Sequence, residues 1–113
     1  MDLATWQLIE QLKAWHATTE DPDEHARIAF LVVKIMEEAG EVAQALIGAT
    51  SQNPRKGRQT HTMDDVAREL CDVALAALEA LATVTDDPAA FFTAHVAGIG
   101  ERAEREGAPC SKA

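Results

Sequence analysis

Apolar residues recur at helical spacing in four stretches of the chain, and polar cap signals fall where each stretch begins. In the first, about residues 3 to 17, Leu3, Trp6, Leu8, Ile9, Leu12 and Trp15 keep mostly helical spacing and Asp2 can cap. The second opens at "DPDE", where Asp21 suits a cap, Pro22 the first turn and Glu24 the position three residues after the cap; it runs to about Gly48. The third opens at "THTMDD", with Thr62 as cap and Asp65 as its reciprocal partner, and runs to about Val84. The fourth repeats the Asp-Pro device at Asp87 and Pro88 and ends near Glu106 or Gly107. No segment alternates with period two, and no repeat is visible. The pattern predicts one all-α domain over residues 1–106, a four-helix bundle, followed by a flexible tail at 107–113.

A chain of 113 residues supports one hydrophobic core. Its net charge of -9, from 19 acidic and 10 basic residues, argues against a nucleic-acid polymer as partner, because a phosphate backbone demands the opposite sign. An anionic small ligand needs cations or a local basic patch to approach. No apolar run approaches the roughly 20 residues of a membrane span, and "MDLATWQLIEQ" has no signal-peptide pattern, so a cytoplasmic protein is expected. The two cysteines make no disulfide framework: Cys71 reads as a small core residue and Cys110 as a free thiol in the tail.

The stretch "KIMEEAGEVAQAL", residues 34–46, sets Lys34, Glu37, Glu38 and Glu41 into a helix that is otherwise apolar. At 100° per residue Lys34, Glu38 and Glu41 fall within about 60° of one another, with Glu37 on the flank and Ile28, Leu31, Ile35, Ala39, Val42 and Leu46 on the opposite arc. Taken alone, that is an amphipathic helix with a solvated acidic face. In the third helix, Glu69 and Asp72 share a stripe with Val73, Ala76 and Ala80, residues that favour burial, and Glu79 lies off that stripe. From Val73 to Ala82 only Glu79 is charged, so this helix is expected to be enclosed on most sides, with Leu75, Leu78 and Leu81 covered by a second chain. Two helices that each present carboxylates at i and i+3 can bring four to one site. Hard oxygen ligands of this kind suit Mg²⁺ or Mn²⁺; the bland alternative is salt bridges to Lys34 or Arg68.

"EEAGE" at 37–41 and "ELCD" at 69–72, with Lys34 one turn before Glu38, resemble the EExxE…ExxD signature of the MazG-like nucleotide pyrophosphohydrolases, the all-α NTP pyrophosphatases. The resemblance covers roughly residues 28–84. It implies a helical bundle assembling as a homodimer or homotetramer, with Mg²⁺ (or Mn²⁺) held by Glu38, Glu41, Glu69 and Asp72. The implied reaction cleaves a nucleoside triphosphate between its α- and β-phosphates, giving a nucleoside monophosphate and pyrophosphate, in nucleotide-pool house-cleaning. Phosphoribosyl-ATP pyrophosphohydrolase, which has a similar "EExxE" helix, is the second enzyme reading, and a non-catalytic binding or regulatory bundle is the third.

A triphosphate is strongly anionic, so an acidic protein binds it through metal ions that screen both parties. Lys34 is placed to touch the same phosphates or to pair with the acids. The loop "NPRKGR" contributes Arg55, Lys56 and Arg58, the densest positive charge in the chain. Water is the expected nucleophile, and either Glu37 or a metal-bound carboxylate can take its proton. Trp6 and Trp15 can stack on a base, although tryptophans at helical spacing are more often core. His61, just before the third helix, can face the site; the four histidines form no metal-ligand pair.

Overall fold

The computed structural model describes residues 1–17, 23–51 and 59–109. Four helices follow in order: α1 (Leu3–His16), α2 (Glu24–Thr50), α3 (Met63–Val84) and α4 (Pro88–Arg105), with no strand among the described residues. The loop cations Arg55, Lys56 and Arg58 lie outside the described residues, as do Asp21, Pro22 and Cys110.

The local chemistry of the helix starts is the one the sequence spells out. Asp2 accepts from the Thr5 amide at 2.9 Å and Asp87 from the Ala90 amide at 3.1 Å, with Pro88 in the first turn. Thr62 and Asp65 form a full capping box: the Asp65 amide donates to the Thr62 hydroxyl at 3.2 Å, and the Thr62 amide donates to the Asp65 carboxylate at 2.9 Å. Both Asp2 and Asp65 are held below the usual carboxylate range by these hydrogen bonds, Asp2 mainly through the Thr5 side chain and Asp65 mainly through the Thr62 backbone. The second helix starts later than its "DP" signal suggests: Asp23 is its cap, accepting from the His25 amide at 3.0 Å, and Glu24 is its first residue. It also continues past Gly48 to Thr50, because Gly48 is used for packing rather than termination. A Cβ there would overlap the His61 ring and the Thr60 hydroxyl, and the Thr60 amide donates to the Gly48 carbonyl at 3.1 Å. The segment entering α3 therefore lies directly on the end of α2.

α2 and α3 form the most extensive pairing, α1 packs on α3, and α4 touches α3 only lightly. The core joins Trp6 and Ile9 of α1 to Ala82 of α3, with Leu75, Leu78, Leu81 and Ala89 packed around them. Trp6 meets Phe92 edge to face, with ring centroids 6.0 Å apart. Leu75, Leu78 and Leu81 thus have apolar partners inside their own chain and remain partly exposed. Cys71 is exposed rather than buried in the core: it shares a face of α3 with Leu75, Leu78 and Ala82 but lies a turn before Leu75, toward the N-terminal end of the helix.

Much apolar surface is left uncovered elsewhere. On α2, Val32, Val33, Met36 and Ile47 face outward, with Val33 62% and Met36 70% exposed. These positions and Ala29, Gly40 and Ala43 fall within about 100° of the helix circumference, an arc that carries no charged residue. Beyond Phe92, α4 presents Val96 and Ile99 about half exposed. The exposed area is 8461 Å², against about 6,100 Å² for a folded monomer of this mass. The radius of gyration is 17.7 Å, against about 13 Å for a compact chain of this length. No helix among the described residues is long and apolar enough to cross a membrane.

Candidate functional site

The outward apolar arc of α2 has a consequence for its charges. Lys34, Glu38 and Glu41 turn toward α3 and are partly buried, while Val32, Val33 and Met36 face solvent. Leu31, which the spacing sets on the opposite arc, is buried beside them and lines a cavity with Lys34 and Glu38. A solvated acidic face is therefore not what the fold makes of these residues. Opposite them, Glu69 projects from α3, and carboxylate oxygens of Glu38, Glu41 and Glu69 all lie within 4.8 Å of one another. One Glu69 oxygen, Oε2, is buried without a hydrogen-bond partner. Such an atom is costly to bury unless something occupies its lone pairs.

The electrostatics of the cluster follow from that crowding. Glu38 is pushed above the usual carboxylate range, first by loss of solvent and then by its hydrogen bond and charge repulsion with Glu41; Asp72 adds to the repulsion, and Lys34 opposes it. Lys34 donates to Glu37 at 2.7 Å and lies 3.6 Å from Glu38. Its ammonium is held above its ordinary value, chiefly by the Glu37 hydrogen bond. Three carboxylates with one shared lysine leave unbalanced negative charge. The oxygens of a divalent ion's coordination shell lie up to about 4.2 Å apart for Mg²⁺ and about 5 Å for Ca²⁺, twice the metal–oxygen distance. The three carboxylates offer hard oxygen donors of the kind such an ion takes, and their 4.8 Å bound lies within the Ca²⁺ span and above the Mg²⁺ one.

Asp72 stands outside this tight grouping and faces an adjoining cavity of about 710 Å³, which Lys34 and Glu38 also line. Leu12, Phe30, Leu31, Leu75 and Ala76 form its apolar walls, and its far side carries His16, Arg27 and Glu79. A concave site with apolar walls and a few convergent polar groups is the usual form of a small-molecule pocket.

No family model matches the chain. Nor does any curated protein or solved structure match it.

Four of the residues singled out in the sequence meet here: Glu38, Glu41 and Glu69 in the cluster, and Asp72 beside it. Lys34 joins them at the cavity wall. Glu37 is tied to Lys34 on the outer side, and it is not among the described residues lining the cavity. Trp6 belongs to the core and does not line this cavity either. Trp15 is exposed, tilted against the His16 ring with centroids 5.2 Å apart. His61 is spent on Gly48, two helical turns beyond Glu41.

Glu79 requires a correction. Only 6% exposed, it lines the cavity and pairs with Nδ1 of His16 across the α1–α3 contact. Its sequence signal was its distance of seven residues from Asp72, two helical turns, which returns a side chain to the same face. Arg27 stands in the same relation to Lys34. Nothing in the sequence marks His16, because its place depends on how α1 docks.

Proposed function

We propose that this protein is a metal-dependent nucleoside triphosphate pyrophosphohydrolase of MazG-like type, cleaving between the α- and β-phosphates to give a nucleoside monophosphate and pyrophosphate. The observation that carries the proposal is the convergence of Glu38, Glu41 and Glu69 around the unpartnered Glu69 oxygen, at the edge of a cavity large enough for a nucleotide. Mg²⁺ or Mn²⁺ held by these carboxylates and Asp72 would neutralise phosphate charge and polarise the bond to be broken. The protein's own part is to position. Lys34 offers a hydrogen-bond donor and a positive charge to phosphate oxygens at the cavity wall, and its tether to Glu37 restricts the motion of its long side chain. A carboxylate of the cluster, or Glu37 beside Lys34, would take the proton of the attacking water. The apolar walls exclude competing water from the nucleoside.

We also assign the uncovered apolar faces of α2 and α4 to a second copy of the chain. Val32, Val33, Met36 and Ile47 on α2 and Val96 and Ile99 on α4 are the exposed apolar side chains that such an interface would cover. Pyrophosphate release over a panel of (deoxy)nucleoside triphosphates with Mg²⁺ or Mn²⁺ tests the catalytic proposal. Turnover that requires the metal and disappears in Glu38→Gln and Glu69→Gln supports it. Absence of turnover on every triphosphate, with the metal bound and the protein folded, rejects it in favour of a binding module.

A further inference from the structure

The catalytic proposal uses one end of the cavity and leaves the other unexplained. Arg27 lies seven residues before Lys34 on α2, and Glu79 seven residues after Asp72 on α3. On each helix that is two turns, about 10 Å of rise, and both residues line the same cavity as the phosphate-end residues. A nucleotide held by its phosphates at Lys34 and Glu38 would pass its sugar along Leu31 and Ala76 and bring the edge of its base between Arg27 and Glu79.

Both polar groups keep capacity after their contacts within the protein are counted. A carboxylate has about four acceptor sites, and His16 engages one oxygen of Glu79. A guanidinium has five N–H donors, and Arg27 commits one nitrogen, Nη2, to the Lys13 carbonyl at 2.7 Å. A carboxylate and a guanidinium at one end of a cavity make an asymmetric reader. It rewards a base that offers two adjacent N–H donors to the carboxylate and carbonyl and ring-nitrogen acceptors to the arginine. Guanine offers both, through N1–H and the 2-amino group on one side and O6 and N7 on the other. Uracil and thymine set carbonyl oxygens on both flanks of their single N–H, so a carboxylate repels them. Adenine and cytosine each place an unprotonated ring nitrogen where guanine has N1–H.

We propose that the Arg27–Glu79 end of the cavity is a base-reading site that selects guanine nucleotides. The proposal rests on the nucleotide reading of the site. It also differs from a plain structural role for the His16–Glu79 contact, which would be indifferent to the base.

The test is calorimetric titration of the full-length chain, with Mg²⁺, by GMP, AMP, CMP and UMP. GMP is expected to bind tightest, by about tenfold or more over UMP, since a buried polar group left unpaired by the wrong base loses at least that much. Glu79→Gln should weaken GMP about tenfold while leaving UMP within about threefold, which narrows the preference. Because Glu79 is buried, Arg27→Gln serves as a second variant at a less buried position and should likewise weaken GMP selectively. Equal affinity for the four nucleotides, a uniform loss across all four in both variants, or no binding of any overturns the inference. Selective GMP binding without pyrophosphate release from any triphosphate would sink the catalytic proposal and leave this one standing. Turnover without base preference would do the reverse.

Discussion

Replacing Met36 by aspartate tests the proposed assembly at its most exposed apolar point. In a lone chain Met36 is 70% open to solvent on the outer face of α2, so a charge there costs the fold little, within about 0.5 kcal/mol. In a dimer built on this face the consequence is far larger. A pair built on this face would cover Val32, Val33 and Ile47 together with Met36, each of them at least 43% exposed in the single chain. Burying a methionine or valine side chain contributes about 1.5–3 kcal/mol, and a two-fold axis uses each position twice. Losing both copies weakens the dimer by about 3–6 kcal/mol, roughly 10² to 10⁴ in Kd, before the desolvation of two carboxylates is added. Light scattering at micromolar concentration reads the result directly: twice the chain mass of 12.2 kDa for wild type, and single-chain mass or loss of fold for Met36→Asp. Circular dichroism separates those two outcomes for the variant. A wild-type protein that is folded, cooperative and 12.2 kDa would refute the reasoning, as would a variant that dimerises with unchanged affinity.

Three further outcomes are expected. Glu41→Gln should retain helicity, since the amide is nearly isosteric, yet lose 100-fold or more in turnover, about 2.7 kcal/mol, under saturating Mg²⁺; activity within a few-fold of wild type would show that this carboxylate holds no metal. Glu38 is raised above its ordinary value of 4.5 in the fold, so the folded state binds the extra proton and metal-free stability falls as pH climbs from there through the raised value. Glu38→Gln should therefore melt higher than wild type at pH 7 without metal and near it at pH 4.5, and Mg²⁺ should close the gap at pH 7; a variant that melts lower at both pH values contradicts the repulsion. Gly48→Ala should destabilise by about 1–3 kcal/mol in urea melts, because the added methyl displaces His61 and Thr60 from α2, and an unchanged midpoint would mean that contact is slack.

The sequence by itself determined the helices and the composition of the acidic site. Caps at Asp2, Thr62 and Asp87 act over three residues, so their geometry is written in the local chain and comes out at the expected positions. The pairing of Glu38 with Glu41 needs only helical periodicity, and three of the four acids converge as that periodicity and an α2–α3 contact require. Tertiary structure decided which way each face points. An amphipathic pattern on α2 reads as charges outward, but α3 packs against the charged row and leaves Val33 and Met36 in solvent, because hydrophobic spacing gives the width of a face and not its partner. The same limit hid Glu79, which is buried only because His16 arrives from α1, 63 residues away in the chain. A buried carboxylate needs a hydrogen-bond partner, and here the docking of α1 supplies one in the His16 ring.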